Sequence, residues 1–161
     1  MRNGTRTEVC LWGILVLTVA VHLLGFIPLM QLRLNTVWPL VFLPMAAFLR
    51  AFASLFGLSR KDYENRFDAM PRSARLACWA TFVYAFVVFS VGEHFYRGSP
   101  GITPSGFVLT DHGHVVASIS EFQYWEASRL EVAFIFGFLV TFAYWAAAMY
   151  TYMRKPPPAQ D

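Results

Sequence analysis

This 161-residue sequence is short of charge and of cysteine. Charged residues make up 14% of it, hydrophobic ones 57%, and the mean hydropathy is +0.45, which excludes an ordinary soluble domain of this size. The cysteines number two, Cys10 and Cys78, so no disulfide framework is implied, and small apolar packing residues are the plain account of both. Lysine is nearly absent, two against eleven arginines, a bias that points to a GC-rich bacterial genome. There is no G-x-S-x-G element, no P-loop, no E-x-x-H or H-x-x-x-H pair, no internal repeat and no low-complexity tract. None of the ten acidic residues lies deep in an apolar run, which argues against a proton-coupled exporter. The basic residues form no patch, and nucleic-acid binding is excluded on that ground.

What the sequence has instead is length in its apolar runs. Cys10–Met30, Val37–Leu58, Leu76–Tyr96 and Leu130–Met153 each suffice to cross a hydrocarbon layer of about 30 Å as a helix rising 1.5 Å per residue. Only helices and closed barrels satisfy their backbone groups in lipid, and runs this continuous are not barrel strands. The expected fold is an all-α membrane protein of four transmembrane helices, one domain over residues 1–161, in a bacterial inner membrane. With the N-terminus inside, nine of the thirteen Lys/Arg fall on the inner side, among them Arg60, Lys61, Arg66, Arg72 and Arg75. That asymmetry predicts an N-in, C-in topology, and Trp12, Trp79, Trp38, Tyr96 and Trp125 fall where interfacial belts belong. A cleavable signal peptide is the rival reading of the first run, which continues well past an h-region.

The inner loop 59–75 carries Tyr63, Phe67 and Met70 at helical spacing, the pattern of a short interfacial helix ending before Pro71. The outer loop and stalk, 97–129, are richer. Gly98, Pro100, Gly101, Pro104 and Gly106 suggest irregular backbone. Phe107–Thr110 and His114–Ser118 read as the two strands of a hairpin, with Asp111-His112-Gly113 as a three-residue loop. Ser120 is a natural N-cap, with Gln123 at the capping-box position and Ile119 placed to staple onto Tyr124. From Glu121 to Met153 no proline intervenes, so one helix of 33 residues is expected to reach about 50 Å and to project beyond the hydrocarbon as a stalk. The hairpin needs that stalk, because two strands alone are marginal in water.

The run from Phe107 to Tyr124, with its polar-Gly turn and Ile119-Ser120-Glu121-x-x-Tyr124 helix start, resembles a segment of small bacterial inner-membrane proteins to which no chemistry is assigned. The stretch from Phe67 through Pro71 to Val91 resembles their preceding loop and third span. The resemblance implies architecture and no activity. Those proteins often carry Gly-His-Trp in the last span, where this chain has Phe136-Gly137-Phe138, so a role for that histidine does not carry over.

Ionisable residues within spans are the default functional candidates: His22, Arg50, Glu93, His94 and Glu131. Arg50 shares a face with Ala46, Ala53 and Gly57, and Ala143 and Ala147 repeat that spacing on the last span. Close helix packing is the leading account of both sets. Four histidines, His22, His94, His112 and His114, lie on the outer side with Glu93, Glu121, Glu126 and Glu131. A divalent metal held by Glu93, His94, His112 and His114, or a haem bracketed by His22 and His94, is therefore the sharper alternative. A hydrogen bond from His22 to Glu93 or to a backbone group is the ordinary one. On balance the sequence predicts a non-catalytic protein without a cofactor, an accessory or interaction subunit of an envelope or respiratory assembly, in contact with lipid and with other membrane proteins or itself. An immunity protein would share the architecture.

Overall fold

In a hydrocarbon medium a segment must satisfy its own backbone, so long apolar runs become helices. The computed structural model of the chain describes residues 2–28, 30–95 and 98–153. Among them are α1 (Arg2–Leu24), α2 (Leu34–Ala53), α3 (Arg60–Asp68), α4 (Arg72–Phe95) and α5 (Glu121–Ala148), which runs on through a π-helical turn at Met149–Met153. Between α4 and α5 stand three strands, β1 (Ser99–Thr103), β2 (Gly106–Asp111) and β3 (His114–Ser118). Thr5–Leu24, Leu34–Ala53, Arg72–Val91 and Glu121–Met153 are long and apolar enough to cross a membrane. Tyr96, Arg97, Arg154 and Lys155 lie outside the described residues, as do the side chains of Glu93 and His94.

These four helices are not equivalent. The last is the axis: α1, α2 and α4 each pack on α5 far more than on one another. Its apolar stretch is 61% buried, against 22% to 28% for the other three. Small residues make this possible, because Ala133, Gly137, Ala143, Ala146, Ala147 and Ala148 let neighbouring backbones come close. Two cores form along the axis. One, near the sheet, gathers Val21, Val37 and Val41 around Val132, Phe136 and Leu139. The other, at the opposite end, gathers Leu11, Ala47, Ala51, Met70, Ala74 and Cys78 around Ala146–Met149 and Met153.

The first helix stops sooner than its apolar run. It ends at Leu24, and Gly25 brings the chain against α5 so closely that an added methyl would lie 2.7 Å from Ala133 Cβ. Nη1 of Arg129 donates to the Gly25 carbonyl at 3.3 Å, supplying charge and a donor where α1 has none left. On α2 the face expected to pack, Ala46, Arg50, Ala53 and Gly57, is exposed within the chain. Packing runs instead along the adjoining stripe of Val37, Val41, Pro44, Ala47 and Ala51. The helix also closes at Ala53, and Gly57 stands beyond it at φ +95° with open space around it. Ala143 and Ala147, by contrast, are buried.

α3 fulfils the spacing of Tyr63 and Phe67, whose rings stack 6.5 Å apart, while Met70 is buried just after it. Ser59 caps its first turn. Nη1 of Arg66 donates at 2.7 Å to the carbonyl of Met153 at the end of the π-helical turn, a carbonyl that the helix itself leaves unpaired.

The outer loop differs from the expected hairpin in two respects. It is a three-stranded antiparallel sheet in the order β1-β2-β3, because Ser99–Thr103 pairs with Gly106–Thr110 across a Pro104-Ser105 turn. Of the Pro and Gly that suggested irregular backbone, Pro100 and Gly101 sit on an edge strand, where a missing N–H is tolerated. The second turn has two residues, since Asp111 pairs with His114. His112 and Gly113 both have positive φ, 47° and 84°, as a type I′ turn requires. An irregularity in the pairing falls between Leu109 and Thr110, opposite Val116. The sheet leans on α5 through buried Val108 and through Phe107, whose ring lies 5.0 Å from that of Tyr124.

At its start α5 carries the complete capping box, Ser120 Oγ accepting from the Gln123 amide and Gln123 Oε1 from the Ser120 amide. Ser120→Ala is expected to lower stability by about 1 kcal/mol. Reversible unfolding in mixed detergent, read by circular dichroism, checks this, with faster amide exchange expected at Glu121–Gln123.

Candidate functional site

The one histidine buried in the bundle among the described residues is His22, 6% exposed on α1 near the sheet end. Three helices close over it. Its Nδ1 lies 2.7 Å from the Ala133 carbonyl oxygen of α5, and the Tyr84 hydroxyl of α4 meets its Nε2 in a short hydrogen bond. Phe26 and Tyr84 set their rings edge-on to it, with centroids 5.1 and 5.8 Å away. The space is made by Gly137, where an added methyl would lie 2.8 Å from Cε1 of the ring.

This geometry assigns the proton. A carbonyl oxygen only accepts, so Nδ1 carries hydrogen and donates to Ala133; in the neutral ring Nε2 offers its lone pair, and Tyr84 donates to it. Both ring nitrogens are thereby engaged. The imidazole has no free lone pair for a metal or a haem iron while Tyr84 stays in place. Its bond to Ala133 frees no helical donor, because that carbonyl accepts a second hydrogen bond on its other lone pair.

Below this point α4 is tied to α5 by side chains that reach across to backbone. Thr141 Oγ1 donates to the Thr81 carbonyl at 2.7 Å, and Trp145 Nε1 to the Cys78 carbonyl at 3.3 Å. On α1, Thr18 is satisfied by its own helix at Ile14. Near the π-helical turn, Trp12 Nε1 donates to Thr151 Oγ1 at 3.2 Å. The bonds from Thr141, Trp145 and Trp12 hold helices at fixed rotation, which lipid does little to enforce.

The other sequence candidates whose side chains are described are not gathered. His112 is in the αL region at the turn, so it does not share a strand face with His114, and both are exposed. The nearest carboxylate oxygen to His112, on Asp111, stands 3.8 Å from Nε2. Among the described residues no three His, Cys, Asp or Glu side chains cluster in a way that could hold a metal ion. Glu126 pairs with Arg129 at 3.3 Å, and Glu121 lies beside Trp125 Nε1. Arg50 is exposed on α2.

One feature was missed in the sequence. Because α2 and α4 both pack on α5, a lateral cleft remains between them with α5 as its floor. Its deeper part, about 560 Å³, is walled by Phe48 and Phe52 of α2, Phe82 and Phe86 of α4, and Phe138, Phe142 and Trp145 of α5. Its part nearest the sheet, about 750 Å³, shares Phe89, Phe138 and Phe142 and ends on Ser99, Thr110, Asp111, His112 and Glu131. The signal was present as aromatics at i, i+4 and i+7 on two helices: Phe82, Phe86 and Phe89, then Phe138, Phe142 and Trp145.

Two substitutions separate a fitted site from a tolerant one. Gly137→Ala drives a methyl into His22 and is expected to lower the thermal midpoint in detergent by several degrees. Gly13→Ala on α1, with nothing within 4 Å, is expected to leave it unchanged or raise it. No family model, curated protein or solved structure matches this chain.

Proposed function

We propose that the chain is a multi-pass inner-membrane subunit, N-in and C-in, that acts by holding a partner rather than by catalysis. The observation that carries this reading is β3. Every residue of it is exposed, it forms an outer edge of the sheet, and it presents Val115 and Val116 to solvent with Phe122 of α5 close by in sequence and 71% exposed. An edge strand with exposed apolar side chains offers main-chain hydrogen bonds to an added strand. The buried polar groups support the same reading, because His22 and Thr141 are spent on contacts between helices and Thr18 on its own helix. The placement of Arg60, Lys61, Arg66, Arg72 and Arg75 at the end opposite the sheet supports the orientation. An envelope or respiratory assembly is the kind of complex in which such a subunit belongs.

Extraction in mild detergent is expected to yield the chain with a stoichiometric protein partner. Val115→Lys with Val116→Lys, which charges the edge, is expected to release that partner while leaving the thermal midpoint of the bundle intact. A monodisperse chain with no partner sinks the proposal. So does a visible absorption band of bound haem that disappears with His22→Phe.

A further inference from the structure

The lateral cleft has a chemistry of its own, and it is graded from end to end. Toward α3 its walls are aromatic and aliphatic, and toward the sheet they become polar. Both parts fall within the roughly 300–1,000 Å³ of ordinary small-molecule sites. A site that is apolar along its length and polar at one end selects an amphiphile.

The polar end is acidic. Glu131 of α5 and Asp111 at the end of β2 supply carboxylates, Ser99 and Thr110 hydroxyls, and among the described residues no lysine or arginine lines this part of the cleft. Glu131 is half-buried and accepts a hydrogen bond from the Ser99 side chain. Among the described residues it has no cationic partner. A carboxylate so placed is costly unless a donor with positive charge comes to it.

Immediately beside it is a second recess of about 420 Å³, which shares Ser99 and Glu131 with the cleft and has Arg33 on its wall. The Arg33 guanidinium lies over the Trp125 ring, 4.4 Å from its centroid, and its Nε is buried without a hydrogen-bond partner. The order along this end of the molecule is thus anion, shared hydroxyl, cation. A headgroup carrying both an ammonium and a phosphate finds a partner for each.

We propose that the cleft is a specific site for one membrane aminophospholipid, phosphatidylethanolamine. Its primary ammonium meets Glu131 and Asp111, its phosphate faces Arg33, and an acyl chain lies along Phe89, Phe138 and Phe142. The ammonium donates up to three hydrogen bonds, which a trimethylated headgroup of the same charge cannot do. An anionic headgroup would bring like charge to Glu131. The site is independent of the β3 edge, so loss of a protein partner leaves it standing.

Full-length protein reconstituted in nanodiscs of equal parts phosphatidylethanolamine, phosphatidylcholine and phosphatidylglycerol, then released for native mass spectrometry, tests this directly. One retained phosphatidylethanolamine per chain is expected, in preference to the other two. Glu131→Gln is expected to reduce that preference about tenfold, the scale of one charge-assisted hydrogen bond. Asp111→Asn, on an exposed turn where folding is not at stake, is expected to reduce it by a smaller factor. Glu126→Gln, on the same helix outside the cleft, is expected to leave it unchanged. Equal retention of the ethanolamine and choline lipids overturns the proposal, as does preferential retention of the glycerol lipid. A Glu131→Gln protein that keeps the wild-type preference and thermal midpoint overturns it as well.

Discussion

Three helices approach one, and for helices long and apolar enough to cross a membrane a lipid medium gives no hydrophobic reason to do so. What draws them in is close contact between backbones, and that requires a surface without bulk. The fourth span provides it with alanine at 133, 143, 146, 147 and 148 and glycine at 137, all buried. Just past the end of α1, Gly25 lets the backbone come so near α5 that an added methyl would lie 2.7 Å from Ala133 Cβ. Cross-helix hydrogen bonds then fix rotation, and they are aimed at backbone carbonyls of Ala133, Thr81 and Cys78, whose positions are set by the helices themselves.

Much of this is local, and the local part could be read in advance. The four runs, the uninterrupted last helix, the Ser120-x-x-Gln123 box and the short helix around Tyr63 and Phe67 all rest on residues within a few turns of one another. The rest depends on separations the sequence does not encode as pattern. His22 finds Tyr84 and Ala133 at 62 and 111 residues' distance, and nothing near His22 points to either. The contacting stripe of α2 lies one residue along from Ala46 and Arg50 because Pro44, Ala47 and Ala51 are equally small, and sequence alone does not choose between two adjoining faces. β1 escaped notice because proline and glycine usually interrupt strands; on an edge they need not.

The polar residues of the candidate site illustrate how a membrane interior treats titratable groups. A buried imidazole is retained when both nitrogens are occupied, and the tautomer follows from what they meet. The charged groups that line the open recesses are at the rim, where α5 emerges toward the sheet: Glu131, Asp111 and Arg33. Interior polarity organises the fold, and rim polarity is left over for ligands.

Because α5 is continuous from Ser120 to the π-helical turn, the molecule has a single axle. The sheet is mounted at one end through Tyr124 and Phe107, and α3 is bolted to the other through Arg66 and the Met153 carbonyl. No hinge separates the two mountings among the described residues. Torque applied to the sheet is therefore delivered to α3 undiminished, and the rotational phase of one end dictates that of the other.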